Sequence, residues 1–279
     1  MSENQLEAIP EVMMAVQLTG NGGPEKLAVL HDIRVPDIGE DEVLIRVKAC
    51  GVNNTDINTR VGWYSKSVTA ATSSKGFGEI EDKQTWGGNK FSFPRIQGAD
   101  VCGIVVDVGN NADASLIGRR VLVDPCVRDP KSGNWRDNAR YLGSEINGAF
   151  AQYCAVPLRN TYPINSEMTD IELASFPCSW ATAEHMLTRS RLRKGQTLVV
   201  TGASGGVGTA LIQLAKLREA NVIAITSSEK FDLVKDCGAD LLLDRNEKEL
   251  KSNIIELAQG PVDVLADVAG GNNFVQLFE

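Results

Sequence analysis

Histidine is scarce in this sequence, which has only His31 and His185, so a histidine-rich metal site is excluded. No stretch approaches the roughly 18 apolar residues that a membrane-spanning helix needs. The N-terminal segment MSENQLEAIPEV lacks the basic and apolar regions of a secretory signal. No basic stripe is present, and the net charge is −8. Nucleic acid and anionic membrane surfaces are therefore not expected as partners.

The six cysteines are scattered along the chain and form no CxxC pair. Most lie among apolar neighbours, as in ADVCGIVV and AQYCAVP, which is typical of reduced cysteines in a protein core. Because disulfides persist mainly in oxidising compartments, this pattern indicates a cytoplasmic protein. The length of 279 residues, with 43% hydrophobic residues, is sufficient for two domains with their own cores.

The hydrophobic pattern changes near residue 165, so we predict two domains, residues 1–165 and 166–279. In the first, short apolar runs alternate with Gly, Pro, Asn and Asp, which is typical of a barrel-like β domain. The strands predicted there are residues 14–19, 42–49, 101–108, 120–123 and 150–156. Residues 65–93 and 124–146 are rich in polar residues and are predicted to be long loops, either lids or insertions.

The second domain alternates strand and helix patterns, which predicts an α/β fold with a doubly wound parallel sheet. The predicted strands are residues 197–201, 221–226, 241–243 and 262–268. The predicted helices are residues 206–220, 229–237 and 247–259. In the first and third of these helices, apolar residues recur at helical spacing and define one buried face.

A glycine-rich turn, GASGGVG, joins the first predicted strand of this domain to its first helix. Such a turn lets a pyrophosphate approach the backbone, where N–H groups and the positive end of the helix dipole hold it. The flanking strand and helix, within a βαβ unit, favour a dinucleotide site over a purely structural turn. The candidate residues in the turn are Gly202, Ser204, Gly205, Gly206, Val207 and Gly208.

The end of the next predicted strand favours NADP(H) over NAD(H). NAD sites usually carry an acidic residue there, which bonds the ribose 2′-hydroxyl. This strand instead ends in hydroxyl residues followed by a cation, which suit a 2′-phosphate. The candidate residues are Thr226, Ser227, Ser228 and Lys230. Glu229 lies in the same turn and argues the other way, and a solvated helix lysine is the alternative interpretation of Lys230.

TGASGGVG is similar to the opening motif of short-chain dehydrogenases, but the Tyr-x-x-x-Lys motif of that family is absent here. Five other segments occur in the order of a different family. They are GVNNTDINTRVGWY at 51–64, GADVCG at 98–103, GRRVLV at 118–123, NGAFAQYCAVP at 147–157 and FPCSWATAEHML at 176–187. They resemble motifs of the medium-chain dehydrogenase/reductase superfamily, in its quinone oxidoreductase branch. The resemblance, which extends from Met14 onward, implies a GroES-like β domain followed by a Rossmann domain.

The resemblance also implies that the chain binds no catalytic zinc. Zinc-dependent members carry Cys, His and often Cys at the positions matched here by Asn53, Ala99 and Cys178, and they carry Glu where this chain has Asp100. A catalytic zinc needs three protein ligands of N, S or O type, and Asn53 and Ala99 cannot replace Cys and His. No metal ligands are therefore assigned.

A structural zinc is also not expected, because it needs four cysteines in the loop after GRRVLV and only Cys126 is present there. A zinc site formed by Cys50, Asp100 and Cys178 is an alternative, since carboxylate and thiolate both bind this metal.

The activity implied by the resemblance is hydride transfer from NADPH to a small molecule, a quinone or a conjugated enone. Without a Lewis acid, hydrogen-bond donors must meet the oxygen on which negative charge develops. The candidates for this catalytic role are Asn53, Thr55 and Tyr64, and a loop hydrogen bond is the alternative for each. Asp56 and Arg60 are expected to orient the segment, and Thr182 resembles the family's threonine near the nicotinamide.

The last predicted strand is followed by GGNNFVQLFE, whereas members of this family continue with two further strands. We therefore expect a Rossmann domain that is incomplete at its C-terminus, with an exposed edge strand and without the family's usual homodimer contact. Two alternative functions stay open at this point. One is an alcohol dehydrogenase activity of the zinc type, and the other is a non-catalytic NADPH-binding fragment.

Overall fold

A computed structural model describes residues 8–64, 91–128 and 139–271, together with Phe274 and Leu277. The chain divides into two compact units, of which the first ends at Cys178 and the second begins at Ser179. Sequence analysis placed this boundary at residue 165. The difference arises because Leu173 and Ala174 pack in a core with Cys102, which belongs to the first unit. Of the predicted loop 65–93, only residues 91–93 lie within the described residues.

The first unit is built from antiparallel sheets with two short helices. Its strands are β1 (Val12–Leu18), β2 (Leu27–Arg34), β3 (Glu42–Gly51), β4 (Arg95–Ile96), β5 (Asp100–Val108), β6 (Arg120–Val123), β7 (Cys126–Val127), β8 (Arg140–Tyr141), β9 (Tyr153–Pro157) and β10 (Thr161–Pro163). Its helices are α1 (Asn54–Val61) and α2 (Asp170–Leu173), and α3 (Pro177–Ser190) begins at its end. The larger sheet has the order β10-β6-β5-β3-β9, and the others are β2-β1-β4 and β7-β8.

One core of this unit lies on one face of the five-stranded sheet, and a second, which includes Leu44 of β3 and Val106 of β5, lies on the other face. Alternate residues of the central strands point to the first core, including Val43 and Ile45 from β3 and Val101 and Val105 from β5, all of which are fully buried. Because side chains alternate across a strand, the register β3–β5–β6 places these β-branched residues together.

Several element boundaries in the first unit differ from the predicted ones. Strand β2 was not predicted, because it pairs only with β1 among the described strands and its burial does not alternate cleanly. Strand β9 begins at Tyr153 and not at residue 150, because the Phe150 N–H donates to the Gln97 carbonyl at 2.8 Å in a turn. The predicted loop 124–146 contains the short hairpin partners β7 and β8.

The second unit is a four-stranded parallel sheet with the order β13-β12-β11-β14, as the predicted doubly wound fold requires. The strands are β11 (Thr197–Thr201), β12 (Asn221–Thr226), β13 (Leu241–Asp244) and β14 (Val264–Ala266). The helices are α4 (Gly206–Leu217), α5 (Phe231–Asp236) and α6 (Leu250–Ala258), together with part of α3. The chain leaves β11 on one side for β12 and β13 and on the other side for β14.

Both faces of this sheet are covered, which explains the nearly continuous apolar strands. Leu198 and Val200 face a core with Leu211 of α4, whereas Val199 packs on the opposite face with Ile254 of α6. The helices are shorter than predicted. Helix α4 ends at Leu217 rather than at residue 220, because the chain turns at Glu219 with φ +56°.

The predicted helix 229–237 is a 3₁₀ turn, Ser228–Lys230, followed by α5. Helix α6 is likewise shorter than the predicted residues 247–259, and β14 is shorter than the predicted residues 262–268. Within the part of the chain that the structure describes, none of the helices combines the length and apolarity needed to cross a bilayer.

Candidate functional site

The segment that begins helix α1 is fixed by Asp56. Its carboxylate accepts the Asn53 N–H at 2.9 Å and the Gly98 N–H at 3.1 Å, so it joins the start of α1 to the turn before β5. Asn53 and Asp56 form a capping box, which satisfies backbone donors at the helix start. Asp56 is buried, and this burial raises its pKa to about 6. The Arg60 guanidinium donates to the Gly22 carbonyl at 2.8 Å and holds the other end of α1.

Asp100 joins the motif around Asn53 to the start of helix α3. One carboxylate oxygen accepts from the Asn53 Nδ2 at 2.7 Å, and the other accepts from the Cys178 N–H at 2.6 Å. Because Cys178 lies in the first turn of α3, the carboxylate stabilises the amino-terminal end of that helix. Asp100 is only 1% exposed. Burial raises its pKa, and the two hydrogen bonds oppose that shift.

Cys178 is the point at which the candidate side chains meet. The Tyr141 hydroxyl donates to the Cys178 Sγ at 3.2 Å, and the Thr55 hydroxyl also hydrogen-bonds to this thiol. Burial raises the pKa of Cys178 to about 11, so the thiol is neutral at physiological pH. Burial likewise raises the pKa of Tyr141 far above its usual range, so its hydroxyl stays protonated and donates.

Tyr64 lies at the end of the same motif and is half-buried. Burial raises its pKa well above the usual tyrosine value, and the neighbouring Cys178 contributes to this shift. Asn58 hydrogen-bonds to the Tyr64 hydroxyl and lowers the pKa, which indicates that the Asn58 amide donates. A tyrosine hydroxyl that accepts one hydrogen bond can still donate its own proton. Trp63 packs edge-on against the Tyr64 ring at 5.5 Å between centroids.

The three residues predicted to be catalytic therefore converge, but their hydrogen bonds differ. Asn53 bonds to Asp100 and Thr55 bonds to Cys178, so both engage protein partners. Tyr64 accepts from Asn58, and that bond does not use its own O–H proton. Sequence analysis did not identify Tyr141, because it lies in a stretch without a motif. It considered Cys178 only as a metal ligand.

The residues at the zinc position of related enzymes do not fit that metal. Ala99, Tyr141 and Cys178 pack together as a small apolar cluster, with Cys126 against it. Two of the three expected ligand positions hold Asn53 and Ala99, which cannot replace Cys and His as zinc ligands. Among the described residues, no three His, Cys, Asp or Glu side chains are arranged to hold a metal. The alternative site of Cys50, Asp100 and Cys178 is therefore not formed there.

In the second unit, the glycine turn between β11 and α4 has the shape that a pyrophosphate needs. Gly202 takes φ +58°, a left-handed conformation that reverses the chain immediately after the strand. A Cβ on Gly208 would lie 2.4 Å from the Gly202 carbonyl oxygen, so only glycine allows the helix to close against the turn. The remaining residues of the predicted set, Ser204, Gly205, Gly206 and Val207, lie between these two. Amides in the first turn of a helix lack helical acceptors and can hold an anion.

The residues predicted to select NADP(H) differ in their exposure and in their hydrogen-bond partners. Thr226 is 4% exposed, and its hydroxyl donates to the Ser204 Oγ at 2.9 Å, so it braces the glycine turn. The hydroxyl of Thr226 is thus engaged with Ser204, and its contact with a phosphate stays a prediction. The Ser227 hydroxyl donates to Glu229 at 3.2 Å. Lys230 is exposed at the end of the 3₁₀ turn.

Strand β13 brings two charged residues to the same turn, and sequence analysis missed both. Asp244 accepts the Ser228 N–H at 3.0 Å and the Asn246 N–H at 2.8 Å, so each of its carboxylate oxygens bonds to backbone. The Arg245 N–H donates to the Thr226 carbonyl at 2.8 Å, which places this second cation next to the end of β12. Their position at the carboxyl end of the predicted strand next to β12 could have identified Asp244 and Arg245 from the sequence. Thr182 lies exposed on α3 in the second unit.

Comparison with known proteins supports both units. The first matches the alcohol dehydrogenase GroES-like domain over residues 39–166, and the second matches the zinc-binding dehydrogenase model over residues 206–279. A solved protein of Sinorhizobium meliloti 1021, provisionally assigned as an alcohol dehydrogenase, is 41% identical with a TM-score of 0.83. The match covers 97% of this chain and 73% of that one.

Curated relatives cover several activities. The chloroplastic NADPH-dependent alkenal/one oxidoreductase of Arabidopsis thaliana is 32% identical over 94% of this chain and 59% of its own. The quinone oxidoreductase of Rattus norvegicus is 28% identical over 94% of this chain and 68% of its own. Others are named NAD-dependent alcohol dehydrogenases. The chain belongs to the medium-chain dehydrogenase/reductase superfamily, in its quinone oxidoreductase-like branch.

Proposed function

We propose that the chain is an NADPH-dependent oxidoreductase that reduces a quinone or a conjugated enone and uses no zinc. The observation that carries this proposal is the packing of Ala99, Tyr141 and Cys178 as an apolar cluster, because the family resemblance assigns zinc ligands to the positions of Ala99 and Cys178. Without a Lewis acid, the acceptor must take hydride readily, which quinones and enones do. The shared family supports an oxidoreductase, and the substrate class is the proposal.

The second unit would hold the nucleotide through residues 202–208, and bound NADPH would supply the hydride. The tight glycine turn fits the pyrophosphate, since a Cβ at Gly208 would fill the cradle. Lys230 and Arg245 supply positive charge beside the end of β12 for a 2′-phosphate. Asp244 lies at the same turn, where two backbone N–H groups hold its carboxylate.

In the first unit, the chemistry assigned to the chain is hydrogen-bond donation to the acceptor oxygen. As hydride reaches the acceptor carbon, negative charge develops on the conjugated oxygen, and a proton from solvent completes the reduction. Tyr64 supplies the donor, and its raised pKa keeps the hydroxyl protonated throughout the neutral range. The capping box and Asp100 hold its segment in place. All six cysteines are free, which supports a reducing compartment such as the cytoplasm.

The nucleotide preference is tested by fluorescence titration of the purified chain with NADPH and NADH. We expect saturable binding that prefers NADPH. Lys230→Glu should reduce NADPH affinity about tenfold, because it places a carboxylate beside the phosphate, and should change NADH affinity less than twofold. Lys194→Glu is the charge-matched control, since this exposed lysine lies in the turn before the amino end of β11. Equal losses for NADPH and NADH would contradict the NADPH assignment.

A further inference from the structure

Thr201 and Asp267 connect the carboxyl ends of two adjacent strands, β11 and β14. The Thr201 hydroxyl donates to Asp267 Oδ1 and accepts the Val268 N–H at 3.2 Å. The second carboxylate oxygen, Oδ2, accepts the Gly270 N–H at 2.9 Å. One threonine and one carboxylate thus bind the turn 267–271 to the last residue of β11, which is the residue before the glycine turn.

The turn 267–271 also packs directly on the glycine turn. A Cβ at Gly202 would lie 3.0 Å from the Val268 Cγ2 and 3.6 Å from the Ala269 Cβ. Gly270 and Gly271 have φ of +67° and +76°, so the backbone of the turn is set by two consecutive left-handed residues. Such a sequence has many conformations open to it unless other contacts select one. The hydrogen bonds from Thr201 and Asp267 supply that selection.

The sheet order indicates which part of a dinucleotide this turn meets. In a doubly wound sheet, the ligand binds at the carboxyl ends of the strands, where the chain direction reverses, and here that point lies between β11 and β14. The adenosine ribose belongs to the end of β12, on one side of β11. The other half of the molecule, the nicotinamide riboside, is therefore directed to the side of β14.

We propose that Thr201 and Asp267 are positioning residues that hold the turn 267–271 as the wall for the nicotinamide half of the bound nucleotide. This inference rests on the proposed function, in that it requires a nicotinamide dinucleotide at the glycine turn. Thr201 and Asp267 act through the backbone that they order, so their effect is confined to ligands that reach this turn. A preordered wall improves affinity because less conformational freedom is lost on binding.

The test compares two ligands, NADPH and adenosine 2′,5′-bisphosphate, which has the adenosine half and no nicotinamide. Thr201→Val and Asp267→Asn should each weaken NADPH binding about tenfold or more, because each removes at least one hydrogen bond that orders the turn, and should change bisphosphate binding less than twofold. Thr201→Ser, which keeps the hydroxyl, should bind NADPH as the wild type does.

Asp263→Asn is the matched control, because Asp263 binds the opposite end of the same two strands. Its carboxylate accepts the Thr197 N–H at 2.8 Å and the Gln196 side-chain amide at 3.2 Å. This variant should alter thermal stability to a similar degree and leave both affinities unchanged. Parallel losses for NADPH and the bisphosphate, or no loss for either, would overturn the positioning role. A wild-type chain that binds neither ligand would instead overturn the proposed function itself.

A second measurement uses the unmodified chain, so it does not depend on the folding of a variant. Hydrogen exchange at the Val268 and Gly270 amides, which donate to Thr201 and Asp267, should slow when NADPH binds and stay constant with the bisphosphate. An equal response to the two ligands, or no response to NADPH, would contradict the inference.

Discussion

Around Cys178 in the first unit, polar side chains bond to one another, whereas in the second unit the polar groups of the glycine turn are mainly backbone amides at a helix start. Asn53 bonds to Asp100, Asp100 bonds to Cys178, and Cys178 accepts from Tyr141. At residues 202–208, in contrast, the helix geometry itself leaves donors without helical acceptors. The first site is satisfied by its own residues, and the second is built to be completed by an anion.

Under the proposed zinc-free function, the contrast concerns how the positions expected to hold metal ligands are filled. Replacing metal ligands by an alanine and an amide would leave a buried thiol and carboxylate without partners, which is unfavourable. Here Tyr141 packs against Ala99 and bonds to Cys178, while Asn53 bonds to Asp100. Under the proposed function, these hydrogen bonds and this packing organise the segment, and the nucleotide supplies the hydride.

The largest effect is expected from a substitution at Gly208, in the glycine turn of the second unit. Gly208→Ala places a Cβ 2.4 Å from the Gly202 carbonyl oxygen, so the turn must open. Its backbone amides then no longer point to one common anion position. We expect NADPH affinity to fall roughly 10- to 100-fold, measured by fluorescence titration. Gly260→Ala is the control, because the nearest atom to its Cβ is 3.7 Å away. Unchanged affinity in Gly208→Ala would show that this turn does not hold the nucleotide.

In the first unit, a substitution at Asp100 is expected to lower the free energy of unfolding most directly. Asp100→Asn keeps the shape but replaces one acceptor oxygen by a donor, so the Cys178 N–H or the Asn53 amide loses its partner in a buried place. We expect a loss of about 2 to 3 kcal/mol in the free energy of unfolding, measured by denaturant titration. Asp113→Asn, at an exposed helix cap on the Ser115 N–H, is the control and should change the free energy of unfolding much less. Equal losses in the two variants would contradict the claim that the buried hydrogen bonds of Asp100 stabilise the first unit.

A smaller effect is expected from the titration of Asp56, which makes the free energy of unfolding depend on pH. Because the folded pKa of Asp56, about 6, exceeds its unfolded value, the folded state binds the proton more tightly. The contribution of Asp56 to the free energy of unfolding therefore falls as pH rises from about 4 to about 6, by roughly 1 to 3 kcal/mol. The difference between wild type and Asp56→Asn, measured by denaturant titration at several pH values, should fall over that window and be constant above it. A difference that rises with pH would contradict the burial effect.

Sequence patterns predicted the second unit better than the first, for physical reasons. The strands of the parallel sheet are apolar on both faces, and the limits of β11 and β12 agree with the predicted residues. The glycine turn was predictable because backbone conformation demands glycine at Gly202 and Gly208. Strand β2 was missed because an edge strand that faces solvent carries little alternation.

Side-chain partners could not be predicted from sequence, because they depend on contacts between distant segments. The bond from Tyr141 to Cys178 joins residues 37 positions apart, and that from Asn53 to Asp100 joins residues 47 apart. The hydrogen bond from Thr226 likewise depends on Ser204 in another turn. Residue types in a motif therefore indicated the location of the site, and the fold decided which side chains are committed to each other.

The central claim, that the first unit works without a metal, is tested by one experiment on the purified chain. Zinc content is measured before and after exhaustive chelation, and NADPH oxidation by a conjugated enone is followed in both samples. We predict no stoichiometric zinc in either sample and rates that agree within about twofold, because no ligand set at Cys178 fits the metal. Stoichiometric zinc whose removal abolishes the NADPH oxidation would contradict the claim.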